Sequence, residues 1–277
     1  MTQNKQAQRS LKAAFIAAAL IGAQLARADQ IDLHNFWAGA GNININYSGN
    51  VWYDQKVTLN NYNIAGGAGG FQTFDLTTDP NRTKPFQTFC VDIFHDFHFG
   101  TQSVSYDYAP TQNPSGLSSA SLLNLGRLYT MYGSNISSTS SSNLNETAFQ
   151  LAIWAIVNDG QSINSSGKFN LTSGQPISFT NFNVSGYAPT PSGSISLAQQ
   201  WLNNLASATS SYNAQFLMLQ PHQYQGTPGT GSQDVVYFTP ASAVPEPQTY
   251  AMLIVGLGLV GFLATCRNNQ NNKMNFV

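Results

Sequence analysis

The spacing of apolar residues between positions 30 and 240 follows two patterns that predict different elements. Stretches rich in β-branched and aromatic residues predict strands, and stretches with apolar residues three or four positions apart predict helices. Asn143 and Glu146, three residues apart, have the form of a capping box at the start of the second helix. Together the elements predict a mainly β domain, a sandwich or a barrel with about three packed helices, and so an α+β fold overall. The predicted strands are 43–47, 51–59, 71–76, 86–99, 214–219 and 235–239, and the predicted helices are 117–132, 143–157 and 196–208.

Composition narrows the functions open to this chain. Only 8% of its 277 residues are charged, against about a quarter in an average soluble protein. Residues 29–243 contain five basic and eleven acidic side chains, a formal charge of −6. Because so few basic groups are available to neutralise phosphates, the composition excludes a nucleic-acid-binding domain. The tracts rich in Gly, Ser and Asn are short enough to be loops, so a single domain is predicted.

The first 28 residues have the pattern of a secretory signal peptide. Three basic residues precede an apolar run at 13–25, and small residues stand at Ala26 and Ala28, the two positions that signal peptidase reads. Cleavage is therefore predicted between Ala28 and Asp29. The exported domain then spans residues 29–243.

A second apolar segment lies near the C-terminus. Residues 249–265 carry no charge and are followed by Arg267. These 17 residues are just long enough, as a helix, to cross the hydrocarbon core of a bilayer. The basic residue after the segment predicts that the polar tail, 268–277, stays in the cytoplasm while the domain lies outside. The segment therefore predicts a single transmembrane helix.

A short motif before this helix resembles a sorting signal. Pro245, Glu246 and Pro247, followed by the Gly-interrupted apolar segment and Arg267, resemble the PEP-CTERM signal of Gram-negative bacteria over residues 244–267. The resemblance implies that signal peptidase and exosortase process the chain. It also implies that exosortase recognises the Pro-Glu-Pro motif, removes the helix after export and leaves the domain at the cell surface or in the extracellular space. Because the basic cluster is reduced to Arg267, a retained single-pass membrane anchor is the alternative.

Two polar residues of the exported domain stand in apolar surroundings. Cys90 lies in the predicted strand 86–99 and is the only cysteine of the exported domain, so no disulfide can form within it. Gln150 is the single polar residue of the run 148–157 in the second predicted helix. A helix that is apolar on all sides is buried, and an unsatisfied amide there would cost about 1–3 kcal/mol. Each residue therefore requires a partner or a chemical use.

The sequences around these two residues resemble the paired motifs of bacterial thioester domains, also called TQXA domains. In that family a Cys sulfur and a Gln side chain join with loss of ammonia, and the internal thioester captures an amine on a surface. By position, the resemblance implies that Cys90 is the thiol and Gln150 the acyl donor. Phe149 stands where the family has Thr. The other residues that carry the motifs are Phe89, Ala152, Ile153 and Trp154.

A noncovalent role is the alternative to a thioester. In that interpretation Cys90 is a small buried residue and Gln150 hydrogen-bonds to a neighbouring strand. The protein would then be a structural or glycan-binding module of an exopolysaccharide or biofilm matrix. The aromatic candidates for stacking on a sugar are Trp37, Trp52, Tyr53 and Tyr62.

The histidines near Cys90 do not predict an enzyme or a metal site. His98 shares a face of the predicted strand with Cys90 but lies about 26 Å away along it, which excludes a Cys/His hydrolase. His95 points to the opposite face from His98, so the two cannot bind one metal ion, and Asp96 with His98 gives too few ligands. The sequence therefore predicts no enzyme, no metal and no cofactor.

Overall fold

The computed structural model describes residues 29–51, 54–94, 105–111, 116–136, 142–159, 169–173, 176–219 and 233–241. Within these ranges, none of the helices combines the length and the hydrophobicity that a membrane crossing requires. Several predicted features lie outside the described residues, namely the signal peptide up to Ala28, Trp52, Tyr53, His95, His98, the apolar segment 249–265 with the flanking Pro245, Glu246, Pro247 and Arg267, and the tail 268–277.

Nine strands and three α-helices form in the described part of the chain. The strands are β1 (Asp29–Phe36), β2 (Gly41–Val51), β3 (Asp54–Ala68), β4 (Phe71–Asp75), β5 (Phe86–Cys90), β6 (Ser105–Thr111), β7 (Ile177–Asn181), β8 (Tyr212–Leu219) and β9 (Val235–Pro240). The helices are α1 (Ser119–Tyr132), α2 (Asn143–Asp159) and α3 (Ser194–Asn204). These elements confirm the predicted mainly β, α+β architecture.

Six strands close into an antiparallel barrel in the order β1-β4-β5-β9-β8-β6. Because successive side chains of a strand point to opposite faces, each barrel strand has a face toward the lumen and a face outside. The hydroxyls of Thr73 and Thr88 are 2.7 Å apart on the lumen face, and both residues are fully buried. Helices cover the opposite face, where the ring of Phe89 lies 4.9 Å from that of Phe149 on α2.

The other three strands form a second antiparallel sheet in the order β3-β2-β7. Ile45 in the central strand pairs with Ile64 on one side and Phe179 on the other. Helix α2 contacts all three of these strands and also β5 of the barrel. Every residue from Glu146 to Val157 is at most 3% exposed. This position between two sheets explains why the helix is apolar on nearly all sides.

The predicted strand 86–99 is wrong in its length, because β5 ends at Cys90. Val91, Asp92, Ile93 and Phe94 follow without strand pairing along this stretch, and all four are buried in succession. An alternating face assignment therefore does not extend beyond Cys90. The prediction also missed β1, β6 and β7.

The predicted capping box at the start of α2 is also wrong. The Ser142 hydroxyl accepts a hydrogen bond from the Asn145 backbone N–H at 3.3 Å, so Ser142 is the N-cap. Asn143 is the first residue of the helix. The Glu146 carboxylate accepts hydrogen bonds from groups on neighbouring elements.

Candidate functional site

Three fully buried polar residues share one face of α2. Glu146, Thr147 and Gln150 are spaced so that a helix brings them to the same side. The Thr147 hydroxyl accepts from the Gly41 N–H at 3.0 Å and donates to the Ala68 carbonyl at 3.1 Å. Through this residue the helix joins the start of β2 to the end of β3.

Glu146 connects the same helix to the barrel. Its carboxylate accepts from the Gly70 backbone N–H at 3.2 Å and from the side-chain amide of Gln87 in β5 at 3.0 and 3.1 Å. A Cβ on Gly70 would come within 2.9 Å of this carboxylate, so glycine permits the close approach. Sequence reasoning missed Glu146 and Thr147 as anchors, although both lie on the Gln150 face of the helix.

Gln150 is hydrogen-bonded directly to Cys90. The Cys90 N–H donates to the Gln150 Oε1 at 3.1 Å, and the Gln150 Nε2 donates to the Cys90 carbonyl at 2.7 Å. Cys90 is 2% exposed and Gln150 is 0% exposed. The two residues singled out in the sequence, 60 positions apart, therefore meet in the core.

The strand register explains why the Cys90 backbone is free to bind a side chain. Cys90 lies opposite Val235 of β9, and the next residue, Val91, donates its N–H to the Asp234 carbonyl at 3.0 Å. Because hydrogen-bonded and non-hydrogen-bonded pairs alternate in antiparallel sheets, the Cys90 N–H and C=O point away from β9. On that side β4 begins only at Phe71, which pairs with Thr88. The Gln150 amide occupies the gap that the short strand leaves.

The Cys90 thiol lies in a dry environment. Its Sγ donates to the Asp92 carbonyl at 2.9 Å. Burial raises the pKa of the Cys90 thiol well above its usual value, and the nearby Asp92 charge raises it further. The Trp154 side chain opposes this rise, but its buried indole N–H has no hydrogen bond of normal geometry. Trp154 is therefore a neighbour of the sulfur and not a hydrogen-bond donor to it.

This arrangement places the Gln150 acyl group against the backbone of the residue that carries the thiol, with a hydrogen-bond donor at the acyl oxygen. The Cys90 N–H contacts Oε1, the atom on which negative charge would develop if a nucleophile attacked the Gln150 side chain. The surrounding core excludes water, which would protect an acyl bond from hydrolysis. The raised thiol pKa acts in the opposite direction, because the thiolate is the stronger nucleophile.

The other residues singled out with this pair in the sequence lie in the same core. Phe89, Ala152 and Ile153 are 0% exposed and Trp154 is 2% exposed. The Trp154 ring stacks on Phe179 of β7, with centroids 6.3 Å apart and planes 25° apart. These side chains fix α2 between the two sheets and so hold Gln150 against Cys90.

Two of the aromatic residues considered for sugar stacking are described, and neither is fully exposed. Trp37 and Tyr62 are both half-buried, and the Tyr62 ring lies 5.7 Å from that of Phe94. Among the described residues no group of three or more His, Cys, Asp or Glu side chains could hold a metal ion.

Comparison with known proteins identifies the C-terminal motif. Residues 243–268 match the family model of the PEP-CTERM protein-sorting motif. The match supports an exported protein that exosortase processes and sorts to the cell envelope or surface. No curated protein and no solved structure matches the chain. The comparisons therefore identify the sorting signal and assign no function to the exported domain.

Proposed function

We propose that the exported domain forms an internal thioester between Cys90 and Gln150 and attaches to a surface amine through it. The observation that carries this proposal is the pair of hydrogen bonds between the Gln150 amide and the Cys90 backbone. They hold the acyl carbon beside the residue that bears the thiol, inside a core that excludes water.

The proposed step balances without a further reagent. Cys90 Sγ attacks Gln150 Cδ, the C–S bond forms, and the Cδ–Nε2 bond breaks. The thiol proton goes to the departing nitrogen, which leaves as ammonia. An amine then attacks the thioester, forms an amide with the Gln150 side chain and returns the Cys90 thiol. The amine on the target surface is the partner in this reaction.

Mass spectrometry of the mature exported chain tests the bond. With a thioester the chain weighs one ammonia less than its sequence, has no titratable thiol, and gains one methylamine when incubated with that amine. Cys90→Ser is the matched control, because it keeps the backbone that binds Gln150 and removes the thiol, so it should have its full calculated mass and gain no methylamine. Gln150→Ala should restore a titratable thiol after unfolding. A chain of full calculated mass that carries a thiol would refute the thioester.

A noncovalent function is the second candidate, and one observation favours it. Both polar atoms of the Gln150 amide already have partners, so the residue is accounted for as a structural bridge between α2 and β5. The protein would then act as a structural or glycan-binding module of an exopolysaccharide or biofilm matrix. Full calculated mass together with retention of the chain by matrix polysaccharide would support this function.

Processing at the C-terminus can be tested separately from either function. Exosortase cleavage near Pro245-Glu246-Pro247 should release the domain from the membrane fraction and remove the segment 249–265. Glu246→Ala should leave the uncleaved chain in the membrane. If the wild-type chain keeps its C-terminus after export, the segment serves as a permanent anchor.

A further inference from the structure

A cavity of about 390 Å³ opens at one end of the barrel. It is walled by residues of five barrel strands, among them Ile31 of β1, Asp75 of β4, Phe86 of β5 and Tyr237 of β9. The register places Ile31 opposite Asp75 and Thr73 opposite Phe86, on the face that carries the buried Thr73–Thr88 contact. The cavity is therefore the mouth of the lumen, on the face opposite to α2.

The volume of the cavity and its apolar wall fit a small organic ligand. Small-molecule sites span about 300–1,000 Å³ and are common in the mouths of β-barrels. The rings of Phe86 and Tyr237 meet edge to face at 5.4 Å, and Leu217 and Ile31, at most 3% exposed, add aliphatic surface. The two rings are half-buried, so a ligand can reach them.

The loop between β4 and β5 adds fixed polar groups to this wall. Asp75 accepts hydrogen bonds from the Thr77 and Thr78 backbone N–H groups at 2.9 and 3.3 Å and from the Thr78 hydroxyl at 2.6 Å. Asp79 accepts from the Thr83 hydroxyl at 2.9 Å and the Lys84 N–H at 2.6 Å. Both carboxylates are thus held in position by the loop.

The balance of charge and polarity selects one class of ligand. A wholly apolar ligand would strip water from Asp75 and Lys84 without replacing it, which is unfavourable. A strongly charged ligand of either sign would be repelled by part of the site, because Lys84 lies beside the two carboxylates. A neutral ring with many hydroxyls can donate to the carboxylates, accept from the ammonium and place its C–H face on the aromatic rings.

We propose that the barrel mouth, formed by Asp75, Asp79, Lys84, Phe86, Leu217 and Tyr237, binds a neutral pyranose sugar. This site is separate from Cys90 and Gln150 and does not require a thioester. It also differs from the aromatic residues considered in the sequence, since Phe86 and Tyr237 were not among them.

Ligand-observed NMR and calorimetry on the mature exported chain test the site with glucose, galactose, mannose and N-acetylglucosamine. At least one of these sugars should bind. Asp75→Asn keeps the size of the side chain and should weaken binding at least tenfold, and Tyr237→Ala should abolish it. The control is Tyr187→Ala, because Tyr187 is a 68% exposed aromatic residue outside the cavity, and it should leave binding unchanged.

Several experimental results would contradict the assignment of a sugar site. It is overturned if none of the four sugars binds, if benzylamine binds and the sugars do not, or if Tyr187→Ala abolishes binding that Tyr237→Ala retains. Circular dichroism checks that each variant is folded. Should Tyr237→Ala unfold, Asp79→Asn on the rim replaces it, and sugar affinity unchanged in both Asp79→Asn and Asp75→Asn would also overturn the site.

Discussion

Replacing Cys90 with Ala distinguishes a covalent bond from a hydrogen-bonded contact. Both hydrogen bonds between residues 90 and 150 use the Cys90 backbone. Cys90→Ala therefore retains the groups that make them and removes the thiol, together with any bond that the thiol makes. The loss of stability then reports whether the side chains are joined.

The expected loss of stability differs between the two cases by about 2–3 kcal/mol. Without a bond, Cys90→Ala loses the thiol contact to the Asp92 carbonyl and the burial of one sulfur, together about 1–2 kcal/mol. A thioester would also close a loop between residues 60 positions apart. By the loop-closure argument used for disulfides, such a cross-link is worth about 4 kcal/mol at 25 °C. A bonded sulfur has no proton to donate to Asp92, so the variant should lose about 4 kcal/mol, the value of the cross-link, if the bond exists in the native protein.

Urea denaturation of the wild-type chain and of Cys90→Ala measures the difference. Methylamine treatment of the wild type gives a second measurement, because it opens the cross-link without a mutation and should lower stability by a similar amount. Gln150→Ala is the contrasting variant, since it leaves the Cys90 N–H and C=O unpaired at about 1–3 kcal/mol each whether or not a bond forms. A loss of only 1–2 kcal/mol in Cys90→Ala, with no effect of methylamine, would refute the cross-link.

Three further predictions concern the core and its buried ionisable groups. Trp154→Ala should cost about 3–5 kcal/mol in urea denaturation, because the ring is 2% exposed and its loss leaves a cavity; unchanged stability would show that α2 is not held in the core. Arg82→Met should lower the free energy of unfolding by about 1–3 kcal/mol, because Arg82 Nε, on a side chain 35% exposed, lies 2.6 Å from the fully buried Asp32 carboxylate. Adding Asp32→Asn should recover part of this loss, and a double variant with no recovery would contradict the pairing. In Gln150→Ala, burial holds the pKa of the free Cys90 thiol above its ordinary value of 9.0. The unfolded chain therefore releases this proton at a lower pH than the folded chain does, and stability should fall as the pH rises above about 9. Urea denaturation between about pH 7 and 10 measures this fall, and a pH profile identical to that of the Cys90→Ala/Gln150→Ala double variant would contradict it.

The helices were predictable because their apolar patterns are long. The predicted helix 117–132 corresponds to α1, and 143–157 corresponds to α2. Buried strands without clear alternation were harder to predict from the sequence. In β1, Asp32 has the polarity of a solvent-facing residue but is fully buried, and its carboxylate accepts a hydrogen bond from Arg82, 50 positions away. A long-range partner of this kind leaves no local signal in the sequence.

The error in β5 has a different physical cause. From Phe89 to Phe94 every residue is buried, so the chain has no solvent face in this segment. A continuous apolar run is compatible with a buried strand or with an irregular segment inside the core, and periodicity cannot distinguish them. The strand ends at Cys90, where the Gln150 amide replaces the next strand as the backbone partner. Tertiary packing therefore decides where β5 stops.

Phe149 and Gln150 are adjacent on α2 but face different parts of the core. Its ring lies 4.9 Å from Phe89, 6.1 Å from Phe238 and 6.2 Å from both Tyr129 and Trp201. Adjacent helix residues point in directions about 100° apart, so Phe149 fills an aromatic cluster while Gln150 faces Cys90. No hydrogen bond between residues 90 and 150 uses the Phe149 side chain. A side chain of this size at position 149 therefore shapes the core beside the pair and leaves the contact between the Gln150 amide and the Cys90 backbone intact.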